Sequence, residues 1–168
     1  MPILRMPVGF GPTLGPRQGP DGTNFNGTLS RCDSFSIAFE SDKEAVDSLL
    51  PPGFVAPEKP TVLVQTHCNY DVAWLAGRGY NFMEVLFSAT FEGEEESVEG
   101  DFVSVMWESI PDPVLPGREE IGLPKLFADV SNLETAHGGS RISASWDGFE
   151  FACMEFRALE APGPWPYG

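Results

Sequence analysis

Proline and glycine set the limits of this chain. There are 16 prolines and 18 glycines in 168 residues, about one residue in five against roughly one in eight in an average domain. Each proline removes a backbone donor and fixes φ, and each glycine brings conformational freedom that a helix or strand must remove again. Long helices are therefore excluded, and a helical bundle with them. Short elements joined by many turns remain. The density peaks in PVGFGPTLGPRQGPDGTNFNG, residues 7–27, where neither a ladder nor a helix can run uninterrupted. Residues 1–27 read as an extended arm, with Phe10, Leu14 and Phe25 available to dock it on a neighbour. Residues 28–168 read as one domain.

Inside that domain the apolar residues follow a period of two more often than 3.6. SFSIAFE (34–40) alternates Phe35, Ile37 and Phe39 on one face, and TVLVQTHC (61–68) reads as a second strand. EVLFSATF (84–91) and DFVSVMWE (101–108) are separated by a Glu- and Gly-rich loop and read as a hairpin. SRISASW and FEFACMEF flank Asp147-Gly148, the two-residue signal for a type I′ turn. One helix is legible: Ser41 and Glu44 have capping-box spacing, and Ala45, Val46, Leu49 and Leu50 share a face until Pro51-Pro52-Gly53. The fold class expected is mainly β (α+β), a bent antiparallel sheet or barrel with one or two short helices.

Charge narrows the partners. Ten Lys and Arg stand against 25 Asp and Glu, for a net charge of −15. Such a chain lacks the basic footprint that nucleic acid or an anionic membrane selects. The start, MPILRMPVGF, is interrupted by Pro and Arg, and no apolar run approaches the ~20 residues of a membrane helix. Three widely spaced cysteines, Cys32, Cys68 and Cys153, form neither a disulfide framework nor a CxxC metal motif. A soluble, cytoplasmic chain without metal or cofactor is expected. Alternation sends His67 and Cys68 to opposite faces of their strand, so they cannot share a metal. The run EGEEESVEGD lacks calcium-loop spacing, GPRQGPDG is no phosphate loop, and no Ser or Cys nucleophile has a His at recognisable spacing. Trp74, Trp107 and Trp146 read as core residues.

Chemistry concentrates in PDPVLPGREEIGLPKLFADV, 111–130. Lys43 lies in a polar helix start and Lys59 in a Pro-flanked loop, whereas Lys125 stands among Leu123, Leu126 and Phe127. Taking an ammonium out of water disfavours its charged form, and the neutral amine attacks carbonyls. The plainer reading is a lysine whose stem packs while its head stays wet.

The block GREEIGLPKLFAD (117–129) resembles the Schiff-base lysine segment of the acetoacetate decarboxylase family, in which Gly-Arg-Glu precedes an aromatic- or Leu-Pro-Lys. Other landmarks fall in the same order: SRCDSFSIAFESD, LLPPGF, and Gly79-Tyr80 leading into a strand that ends FEG. The similarity covers roughly residues 28 to 147. It implies that Lys125 adds to the ketone of a small keto acid and that the resulting iminium accepts electrons as CO2 leaves. It implies substrate contacts for Arg31, near the carboxylate, and for Tyr80, Phe82, Arg118 and Glu119. For Arg118 and Glu119 a structural ion pair is the simpler role.

Two positions depart from the family pattern. Leu126 stands where decarboxylases carry a second lysine, so desolvation alone must favour the neutral amine. Phe82 stands where they carry a glutamate, and Glu84, two residues on and on the same strand face, is the substitute expected to act with Lys125. The chain also ends before the family's later strands, as a fragment or a minimal variant. The function implied is a Schiff-base lyase using decarboxylation, aldol or dehydration chemistry; the alternative is a ligand-binding or structural barrel that has lost it. Open strand edges and the arm predict a homo-oligomer.

Overall fold

Strand β1 (Arg31–Glu40) lies antiparallel to β3 (Thr61–Tyr70), which pairs with β4 (Tyr80–Glu92), which pairs with β5 (Ser97–Glu108). Strand β6 (Lys125–Phe127) closes this row parallel to β5, and the two-residue β2 (Phe54–Val55) pairs with the far end of β4. These observations come from a computed structural model that describes residues 31–157 apart from Ala76, Glu120 and His137. The arm over 1–27 and the tail APGPWPYG lie outside the described residues.

A second sheet contains β10 (Phe149–Arg157), β9 (Gly139–Trp146) and β7 (Asp129–Val130) in that order, with β8 (Glu134–Ala136) also on β9. The mainly β reading holds, as two open bent sheets. Each carries a register slip, after Val85 on β4 and between Glu150 and Ala152 on β10, and such bulges increase bend and twist. The Glu-rich loop does join a hairpin, although its strands run longer than their apolar cores. Asp147 and Gly148 both take positive φ, 48° and 79°, as a type I′ turn requires.

Alternation gives the six-stranded sheet two unlike faces. One face sends Cys68, Met83, Val64 and Trp107 onto Val130, Ile142, Ala144 and Met154 of the second sheet. Its other end packs Val62, Val85 and Phe87 against Val46, Leu50 and Ala56. Burying side chains of this size contributes about 1.5–3 kcal/mol each. Asn81 fastens the sheets: its Nδ2 donates hydrogen bonds to Val130 O, Ser131 O and Asn132 Oδ1. The opposite face carries Ser34, Gln65, His67, Phe82, Glu84, Glu108 and Lys125.

Helix α1 (Lys43–Asp47) starts one residue later than the capping-box reading required. Ser41 N donates to Pro60 O, which keeps Ser41 extended, and Asp42 Oδ1 instead accepts from Ala45 N at 2.9 Å. The helix then tightens through Leu49 N to Val46 O, so Val46 is buried while Leu49 faces solvent. Ile37 and Phe39 are exposed on the edge strand β1, and Trp146 is exposed at its hairpin tip rather than in the core. Trp107 does pack in the core. Among the described residues, no helix is long and apolar enough to cross a membrane.

Candidate active site

A helix unexpected from its composition creates the site. Helix α2 (Pro111–Glu119) contains three prolines, but Pro111 and Pro113 occupy the first turn, where backbone donors have no helical acceptor to lose. The helix crosses the start of β6 and brings Gly117 onto Lys125. A Cβ at Gly117 would collide with the lysine stem and stand 2.8 Å from Nζ. Glycine is needed here for approach.

Below that helix, Lys125 Nζ donates to Glu108 Oε1 at 2.8 Å and to Pro113 O at 3.3 Å. The lysine side chain is 11% exposed and the glutamate 1%. The expected greasy enclosure is therefore corrected. Leu126 and Phe127 are about half exposed, and the amine is walled by α2 and a buried carboxylate. Burial pushes the Glu108 carboxyl above its ordinary range; the hydrogen bond and charge of Lys125 pull it back, and Glu84 pushes it further up. Glu108 Oε2 is buried without a hydrogen-bond partner among the described residues. A carboxyl burdened in this way favours taking a proton, and the nearest one is on Nζ.

Strand register continues the site across the sheet. Glu84, Met106 and Lys125 form one transverse row, and His67, Phe82 and Glu108 form the next. Glu84 Oε1 stands 3.6 Å from His67 Nε2. His67 stacks on Phe82 with ring centres 4.4 Å apart, and its Nδ1 is 2.8 Å from Ser34 Oγ. Sheet pairing thus gives a histidine to hydroxyl and thiol groups distant in sequence, since Cys32 Sγ also lies 3.8 Å from Nδ1.

A family model described as acetoacetate decarboxylase matches residues 5–164. The chain belongs to the acetoacetate decarboxylase family. Its fold is similar to that of an acetoacetate decarboxylase from Legionella pneumophila, at 20% identity and TM-score 0.67 over 87% of this chain and 58% of that one. A second acetoacetate decarboxylase structure aligns at 17% identity and TM-score 0.60, over 74% and 48%. The enduracididine biosynthesis enzyme MppR, complexed with the condensation product of pyruvate and imidazole 4-carboxaldehyde, aligns at 20% identity and TM-score 0.56, over 91% and 67%. The chain spans about half the length of the decarboxylase structures it matches. No curated protein matches it.

In this family member the sequence-derived site residues do not all converge. Lys125 and Glu84 share a sheet face, separated by Met106. Phe82 is on that face, beside Glu108. Tyr80 is next along β4, its ring centre 6.2 Å from that of Phe82. It also lines a polar cleft of about 720 Å³ with Asn69, Asn81, Ser109 and Asn132. Arg118 donates to Lys125 O at 2.8 Å, so it holds the lysine's backbone. Glu119 is exposed at the end of α2. Arg31 projects from the opposite face of β1, 64% exposed, where it pairs with Asp33 and lies over Tyr70. The sequence did not reveal the role of Glu108, signalled only as an ionisable residue ending the apolar run VSVMW, or that of Gly117, which stood there only as the first residue of the Gly-Arg-Glu motif.

Proposed function

We propose that the chain forms a Schiff base between Lys125 Nζ and the ketone of a small keto acid. What carries this reading is the buried Lys125–Glu108 contact. One proton passing from Nζ to Oε1 along their 2.8 Å hydrogen bond converts two desolvated charges into a free amine and a carboxylic acid, and leaves the net charge unchanged. The amine then adds to the carbonyl, the carbonyl oxygen departs as water, and the protonated imine withdraws electrons from the adjacent carbon. Glu84, on the same face, is the group assigned to exchange protons with that carbon. Phe82 and Tyr80 are assigned to flank the substrate, and Arg118 and Glu119 to frame the lysine loop. Decarboxylation, aldol and dehydration chemistry all proceed through this imine.

The test is borohydride trapping. The chain is incubated with acetoacetate or pyruvate, reduced, and weighed by mass spectrometry. The reading requires an adduct that disappears in Lys125→Ala; no adduct, or one that survives the substitution, refutes it. A second reading, a ligand-binding module without the chemistry, draws on the position of Arg31. The cation assigned to the substrate carboxylate is on the other face of the sheet.

We also propose a cytoplasmic homo-oligomer built on residues 28–168. The apolar exposed β1 edge, with Ile37 and Phe39, is the surface that self-association would cover. Three unpaired thiols suit a reducing compartment. Light scattering that finds a stable monomer contradicts the oligomer.

A further inference from the structure

The imine chemistry proposed above needs protons to enter and leave a face whose acid–base groups are buried. His67 stands between that face and water. Its Nε2 is within hydrogen-bond distance of Gln65 Oε1, at 3.3 Å, and lies 3.6 Å from Glu84 Oε1; two acceptors on that side favour the neutral tautomer protonated on Nε2. Nδ1 is then free to accept from the Ser34 hydroxyl, 2.8 Å away on the exposed edge strand. The ring is fixed in that orientation by its stack on Phe82.

We propose that His67 is a positioning residue that relays protons between water at Ser34 and the carboxylate of Glu84, and so feeds the imine-bearing face. The proposal rests on the Schiff-base reading. In an inward transfer Nδ1 takes the Ser34 proton, Nε2 gives its own to Glu84, and Ser34 takes one from a hydronium ion, which leaves as water. The ring is then protonated on Nδ1, and an outward transfer runs the same steps in reverse and restores the proton on Nε2. One proton enters from solvent and one arrives on the carboxylate. The titratable groups facing the ring are Cys32 from β1, Glu84 from β4 and, one row further, Glu108 from β5. Glu84 is also felt at Glu108, whose carboxyl it pushes up, so a proton delivered to Glu84 registers at the lysine's partner.

The experiment separates imine formation from proton movement. Acetone forms a lysine imine and exchanges its methyl protons for deuterium only as fast as protons are shuttled. Loss of the acetone signal in deuterium oxide is followed by NMR, and borohydride trapping is run on the same samples. His67→Phe retains a ring against Phe82, and Ser34→Ala removes only the hydroxyl. The relay predicts parental trapping in both variants. It predicts exchange slowed about tenfold or more in His67→Phe, a smaller loss in Ser34→Ala, and partial rescue of His67→Gly by added imidazole. Parental exchange in His67→Phe overturns the relay while leaving the imine standing. So does joint loss of trapping and exchange in every His67 variant without imidazole rescue, because that is a structural role. Absence of an adduct in the parent chain overturns the Schiff-base reading itself, and the relay falls with it.

Discussion

Replacing Lys125 with methionine keeps the length of the stem and removes the charge that Glu108 faces. The carboxylate, 1% exposed, is then buried alone, and it can escape that state only by binding a proton. An unfolded glutamate titrates near 4.5. In the folded parent the group is already pushed up by burial and by Glu84 and pulled down by Lys125. The substitution deletes both downward influences and keeps both upward ones. A group whose folded pKa exceeds its unfolded value is accommodated below the unfolded value and destabilises as pH rises toward the folded one. The variant's deficit is therefore small near pH 4.5 and grows with pH. At about 1.4 kcal/mol per pH unit, the span from there to pH 7 sets a ceiling of about 3.5 kcal/mol, within the ~3–5 kcal/mol typical of removing one partner from a buried pair.

Urea unfolding of parent and Lys125→Met at pH 4.5, 5.5, 6.5 and 7.5 measures this directly. The other carboxylates of the chain titrate in both proteins and cancel in the difference. The double variant Lys125→Met with Glu108→Gln removes the stranded charge, and its deficit should be flat with pH and within about 1 kcal/mol of the parent, as replacement of both partners allows. A single-variant deficit that stays level across the series, or a double variant no more stable at pH 7.5 than the single, refutes the argument that Glu108 is buried against Lys125.

Gly117→Ala places a methyl group on the lysine stem, 2.8 Å from Nζ. Overpacking of this kind costs about 1–3 kcal/mol in urea unfolding, and the displaced amine should be trapped about tenfold to a hundredfold more slowly; trapping at the parental rate contradicts the close approach of α2. Asp42→Ala removes the acceptor for Ala45 N and should lower stability by about 1 kcal/mol, whereas Ser41→Ala should leave it almost unchanged. Equal losses from the two would return the cap to Ser41.

Strands were legible where alternation and turn chemistry agreed. Asp147-Gly148 fixed both a hairpin and its turn type, because few other residue pairs accept two positive φ values. Helix α2 was hidden because three prolines argue against a helix: the first-turn positions of Pro111 and Pro113 are known only once the helix start is, and Pro116 lies inside the helix. Lys125 was found from its neighbours in sequence, but two of them, Leu126 and Phe127, are exposed. Its enclosure comes from Gly117, eight residues earlier, and from Glu108 on an adjoining strand. His67 illustrates the same limit. Its partners Ser34 and Glu84 come from the two strands flanking its own, so no local spacing could reveal them, and the absence of a histidine motif in the sequence said nothing about a histidine constellation on the sheet.

Glu108 also changes what the missing second lysine means. A like-charged neighbour promotes the free amine by making the ammonium costly, so its proton must leave for water. On the proposed reading a buried glutamate takes the proton itself, and the position after Lys125 can then be leucine. In this chain Leu126 alternates to the other face of β6, half exposed, where a charge is screened from the pair. Two roles for Glu108 now make opposite predictions in Glu108→Gln. If the carboxylate only clamps the ammonium, its removal leaves a desolvated, unbalanced cation that sheds its proton more readily, and trapping accelerates. If the carboxylate is the acceptor, glutamine cannot replace it, and trapping with pyruvate at pH 7 slows about 100-fold, as loss of a positioned base does. The orphaned Oε2 and the upward push of burial on this carboxyl both favour the acceptor, so the slower rate is expected. A faster one would show that Glu108 restrains the lysine instead of activating it.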